Sequence, residues 1–149
     1  MKFRVKKSDI KGSIEIPGSK SHTIRSFFFA ALADKKSKVL KPLISEDTKS
    51  ALNACRAIGS NIDEIEGGYS VEGLSGKPKI PDNVIDVGNS GTTLNISLGT
   101  STLIEGYTIF TGDQQIRSRP VGPLIEALNG LGAQVFCAKN NGKPPVVVK

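Results

Sequence analysis

Apolar positions along the chain change period several times. Ser13–Gly18, "SIEIPG", alternates and stops at Pro-Gly, which predicts a strand. Ser21–Ala33 places Ile24, Phe27, Phe28, Ala31 and Leu32 on one helical face. Ser37–Leu43 predicts a short strand. Ser45–Gly59 predicts a helix with Ser45 as N-cap, Glu46 and Asp47 in the first turn and Gly59 as the stop. "NIDEI" and "YSVEG" alternate on either side of "EGG" and predict a hairpin.

The same order then recurs. Asn83–Gly88 predicts a strand, Asn89–Leu103 a helix and Tyr107–Gly112 a strand. Pro120–Gly132 predicts a helix with Pro120 near its first turn and a stripe of Val121, Leu124, Leu128 and Leu131. "AQVFCAK" and "PPVVVK" predict two closing strands around "NNGK". The pattern is β-α-β-α-β-β, twice. "ALNACRAIGSNI" and "LIEALNGLGAQV" match at an offset of 73, and "PGSKS" and "VGNSG" at an offset of 70. A period this long indicates a duplicated supersecondary unit, not a solenoid. The helices are more apolar than the strands, which predicts helices inside and sheets outside.

Length and composition fit one globular domain: 149 residues, 38% apolar and 23% charged. The twelve opening residues, "MKFRVKKSDIKG", carry no apolar run of the secretory type, and no later run is long enough to span a bilayer. Cys55 and Cys137 have neither disulfide-framework nor metal spacing and read as packing residues in a reducing compartment. The net charge of +6 reads either as a solvated basic surface or as attraction for anions, nucleic acid or small phosphorylated metabolites. With two tyrosines, and three of six phenylalanines consecutive at 27–29, stacking platforms for nucleic-acid bases are scarce.

Candidate chemistry gathers at three strand-to-helix loops. Lys20, Ser21 and Arg25 surround one helix start, where free N–H groups and the helix dipole suit an anion. A solvated lysine beside an ordinary cap is the alternative. The P-loop pattern is absent. "VGNSGTT", 87–93, offers close backbone approach at Gly88 and Gly91 with hydrogen bonding from Asn89 and its neighbours, or is an ordinary tight loop. "TGDQQIRSRP", 111–120, brings Arg117 and Arg119; if extended, both point the same way, and either can lie in solvent. No convincing base or nucleophile accompanies them.

"PGSKSHTIRSFFFAALA", "GNSGTT" and "TGDQQIRSRPVGPLIEALNGLGA", in that order, resemble the enolpyruvyl transferases, in particular the branch acting on shikimate 3-phosphate. The resemblance runs from Gly12 to Lys149. It implies an inside-out α/β prism: six β-α-β-α-β-β units with helices inward, of which this chain holds two. Residues 1–18 would then belong to the other domain. Residues 19–149 would be part of the N-terminal domain, with repeats at about 19–76 and 83–149.

The implied reaction moves the carboxyvinyl group of phosphoenolpyruvate to the 5-hydroxyl of shikimate 3-phosphate, without metal or other cofactor and in the cytoplasm. Lys20 would meet both substrates, Ser21 and Arg25 the shikimate 3-phosphate, and Asn89, Gly91 and Arg119 the phosphoenolpyruvate. The family's catalytic groups come from downstream repeats, so none is expected in this chain, which would be inactive alone. The usual arginine of the glycine-rich motif is replaced by Asn95. The full-length family is usually monomeric; this chain would self-associate or be loosely structured. The rivals are a fragment of the branch acting on UDP-N-acetylglucosamine and a non-catalytic module binding anions or nucleic acid.

Overall fold

The computed structural model describes residues 2–149; Met1, the first residue of the 1–18 segment, lies outside them. Helix α1 spans Lys20–Leu32, strand β1 Ser37–Leu40 and helix α2 Glu46–Ala57. Strands β2 (Ile62–Ile65) and β3 (Gly68–Val71) form the expected hairpin, with Gly67 at φ 72° in its turn. The second unit holds β4 (Ile85–Asp86), α3 (Gly91–Ser101), β5 (Thr108–Thr111), α4 (Gln114–Ser118), α5 (Gly122–Gly130), β6 (Val135–Cys137) and β7 (Val146–Val148).

Duplication is visible in the sheets. The first is ordered β1-β3-β2 and the second β4-β5-β7-β6. The triplets β1-β3-β2 and β5-β7-β6 are antiparallel in equivalent order, and β4 adds a parallel edge to the second. The helix C-caps Ile58 and Leu131 keep the offset of 73. The N-caps Ser19 and Ser90 do not keep 70: Ser90 follows Ser19 by 71 positions, so the match of "PGSKS" to "VGNSG" is one residue out of register with the helices.

Two expectations are corrected. Ser13–Gly18 is not a strand: among the described residues no ladder partner reaches it, and its residues are exposed. An unpaired strand leaves its backbone groups to water and gains nothing from order. In the second unit, the Asp113 N–H donates to the Gly88 carbonyl at 2.9 Å and extends the β4–β5 pairing. The equivalent position in the first unit is Pro42, which has no N–H to give. Helix α5 begins at Gly122, so the proline in its first turn is Pro123 and not Pro120.

Helices α1, α2 and α3 pack on one another, and the sheets lie outside them. Helix α1 buries Ile24, Phe27, Phe28 and Ala31, as its periodicity predicts. Helix α3 buries polar Thr93, Ser97, Thr100 and Ser101 with its leucines, which explains why its sequence shows no clear apolar stripe. Strands β5, β6 and β7 alternate buried with more exposed residues, giving each a wet face. Helix α5 has no fully buried residue, and Leu131 of the expected stripe is 87% exposed.

Cys55 and Cys137 are both free and buried. Burial pushes both thiols up from their usual range; for Cys137 a hydrogen bond with the Gly142 backbone partly offsets this. The folded chain therefore keeps its thiols protonated where the unfolded chain ionises them. That contribution is complete below pH 9.0 and is lost as pH rises above it. The native chain at pH 8 is expected to leave both cysteines unmodified by a thiol reagent, and denaturant to release both; colorimetric thiol counting checks this.

Candidate anion site at three helix starts

The chain builds three well-capped helix starts and points them at one place. Ser19 caps α1, its side chain accepting from the His22 N–H at 3.3 Å, so Lys20 is the first helical residue. Ser45 and Thr48 form a reciprocal capping box on α2, which fixes Asp47 in the first turn. Ser90 caps α3 by accepting from the Thr93 N–H at 3.3 Å, so Gly91 opens that helix. Between these starts lies a cavity of about 300 Å³, at the small end for a metabolite cleft.

Four of the six expected site residues line it: Lys20, Asn89, Gly91 and Arg119. Lys20 and Arg119 reach it from different copies of the repeat, so two cations of separate units share one space. Asn89 is held by its amide donating to Gln115 Oε1 at 2.9 Å. Gly91 leaves room for Arg119: a Cβ there would sit 2.8 Å from Arg119 Nη1. Ser21 and Arg25 are not brought into the cavity wall; the Arg25 guanidinium donates to the Ser21 carbonyl at 3.0 Å on the surface of α1.

The loop between β5 and α5 also departs from expectation. It is not extended but wound into α4, capped by Asp113 accepting from the Ile116 N–H at 2.8 Å. Arg117 and Arg119 therefore do not project together. Arg117 donates to the Gly112 carbonyl, while Arg119, at the C-cap, turns to the cavity.

Sequence reasoning missed Asp47 as a cavity residue. Its carboxylate meets the Lys20 ammonium at 2.7 Å. In the sequence it reads only as helix-start charge, and nothing local distinguishes it from Glu46 beside it. The packing of α2 against α1 is what brings it to Lys20. Asn95 also lines the wall, so the substitution noted in the sequence does fall at the site.

The comparisons with known proteins place the chain in a family. A family profile described as EPSP synthase (3-phosphoshikimate 1-carboxyvinyltransferase) matches residues 5–149. The chain belongs to the EPSP synthase family. A 3-phosphoshikimate 1-carboxyvinyltransferase of Acetivibrio thermocellus is 54% identical over 149 residues, all of this chain and 35% of that protein. The one of Methanothermobacter thermautotrophicus is 45% identical over 150 residues, covering all of this chain and 36% of that protein. The solved EPSP synthase from Acinetobacter baumannii superposes with a TM-score of 0.86 at 30% identity, over 93% of this chain and 32% of that one. The chain thus spans about a third of the length of the curated EPSP synthases it matches. Its two sheets around packed helices are the mixed α/β fold of that family.

Proposed function

We propose that this chain supplies the N-terminal part of the substrate site of a 3-phosphoshikimate 1-carboxyvinyltransferase. The observation that carries the reading is the meeting of Lys20 and Arg119, from different repeats, across one small cavity at helix starts. Both substrates of that reaction are anions. Free N–H groups, helix dipoles and two cations suit the phosphate and carboxylate of phosphoenolpyruvate. Lys20, Asn89, Gly91 and Arg119 would hold it. Ser21 and Arg25, on the adjoining turn of α1, would meet shikimate 3-phosphate with Lys20 once that substrate lies along the helix start.

In the overall reaction, the substrate 5-hydroxyl adds to C2 of phosphoenolpyruvate while C3 gains a proton. Phosphate then leaves C2 as C3 gives a proton up. The residues here orient the substrates and offset charge. The proton-transfer groups belong to further repeats, so the 149-residue chain should bind without turnover. On this reading residues 1–18 belong to a second domain, 19–149 to part of the first, and the protein is cytoplasmic. The half-buried α5, with Leu131 exposed at its C-cap, supports self-association of the isolated chain.

Calorimetric titration with phosphoenolpyruvate and shikimate 3-phosphate tests the site. Lys20→Ala is expected to weaken phosphoenolpyruvate about tenfold, the low end for a lost charge-assisted hydrogen bond. Equal affinity in parent and variant, or product formed by the pure chain, sinks the reading.

A further inference from the structure

The proposed site contains one group that works against an anion. Asp47 places a carboxylate on the cavity wall, 2.7 Å from Lys20 Nζ, with only 24% of its side chain exposed. Two features hold it there. The capping box fixes its turn of α2, and its backbone carbonyl accepts from Thr93 Oγ1 of α3 at 3.4 Å. The backbone of Asp47 is thus held beside the α3 start, and its carboxylate meets Lys20 at the α1 start.

The need for it lies in the positive charge gathered at the cavity. Lys20 is the first residue of α1, where the positive end of the helix dipole disfavours a cation. Neither α1 nor α3 carries an acidic residue in its own first turn. Arg119 adds a further positive charge to the same cavity. Asp47 supplies the missing negative charge from the neighbouring helix. Glu46 does not, because it faces outward to Lys49 at 2.9 Å.

We infer that Asp47 is a built-in counter-ion: it occupies Lys20 while the site is empty and thereby sets how tightly an incoming phosphorylated anion is held. The inference rests on the reading that this cavity binds such anions. Two effects of opposite sign follow. The carboxylate stabilises the unliganded chain by offsetting the clustered positive charge. It also repels the ligand and shares the ammonium with it, so it weakens binding.

The experiment compares the parent chain with Asp47→Asn, Asp47→Ser and Glu46→Gln, using inorganic phosphate and phosphoenolpyruvate as probes in low-salt, phosphate-free buffer. Thermal unfolding without anion and calorimetric affinity are read on each. Both Asp47 variants are expected to melt lower and to bind both probes about fivefold more tightly or better, the effect of one charge removed at about 5 Å in partly aqueous surroundings. Glu46→Gln removes the same charge outside the cavity and should bind within about twofold of the parent. Affinity unchanged or reduced in the Asp47 variants overturns the inference and leaves the site reading standing. Binding of neither probe by the parent overturns both. Should the Asp47 variants fail to fold, NMR of the parent's lysine ammonium groups decides. The Lys20 signal must move as phosphate binds, and a fixed Lys20 signal during binding overturns the exchange of partners.

Discussion

Replacing Phe27 by alanine is expected to remove about half of the chain's stability or more. Phe27 has no exposed surface. Its ring meets Tyr69 of β3 edge-on, centroids 5.5 Å apart at 73°. It therefore joins the inner helix α1 to the central strand of the first sheet. The helix cannot move to fill the gap, because it is tied along its length. Thr23 Oγ1 accepts from the Leu43 N–H at 3.0 Å, and the Ala31 and Ala33 carbonyls accept from Leu74 and Ser75 at 2.8 and 2.9 Å. A buried Phe→Ala change at a site that cannot collapse costs ~3–5 kcal/mol. Domains have a total stability of only ~5–15 kcal/mol, and α5 of this one has no fully buried residue. Denaturant unfolding followed by circular dichroism should show a loss of at least half the parent's stability. Phe29→Ser is the contrast: that ring is 71% exposed on the same helix, and its loss should leave the unfolding midpoint near the parent's. A mild Phe27→Ala variant would show that α1 is not the inner helix.

That contrast also marks what the sequence could show. Periodicity separated Phe27 and Phe28 from Phe29 because the face of α1 is set by a 3.6-residue repeat. The capping residues Ser45, Gly59 and Gly132 were legible for the same local reason: they answer the geometry of one helix end. The opening strand at Ser13–Gly18 was not, because a strand exists only with a partner, and alternation alone does not say whether one is present. Helix α4 hid in a five-residue segment too short for any period, which is why Arg117 and Arg119 looked like a pair. At the site, Lys20, Gly91 and Arg119 stood out by residue type beside helix starts, whereas Asp47 acquires its meaning only from a lysine 27 positions away.

The second large effect concerns Gly91, and it should fall on binding alone. The backbone of Gly91 does not lie in the left-handed region, so alanine fits its conformation. As the first residue of α3, it gains helix propensity from the change. What alanine meets is Arg119: the new methyl would stand 2.8 Å from Nη1, against a flexible side chain and not against backbone. The guanidinium must swing away, and the cavity loses both the fork and the space beside the α3 start. A charge-assisted hydrogen bond is worth ~1.5–3 kcal/mol net, and a misdirected fork forfeits at least one, so phosphoenolpyruvate should bind about tenfold more weakly or worse. Arg119→Ala should lose at least as much, since it removes the group that Gly91→Ala only displaces. Thermal unfolding of Gly91→Ala should stay at or above the parent's midpoint, which separates the binding loss from damage to the fold. If Gly91→Ala keeps parental affinity while Arg119→Ala loses it, the guanidinium finds another route to the ligand, and the glycine is not what admits it. If both variants bind as the parent does, phosphoenolpyruvate does not lie between the two repeats, and the meeting of Lys20 with Arg119 has some other purpose.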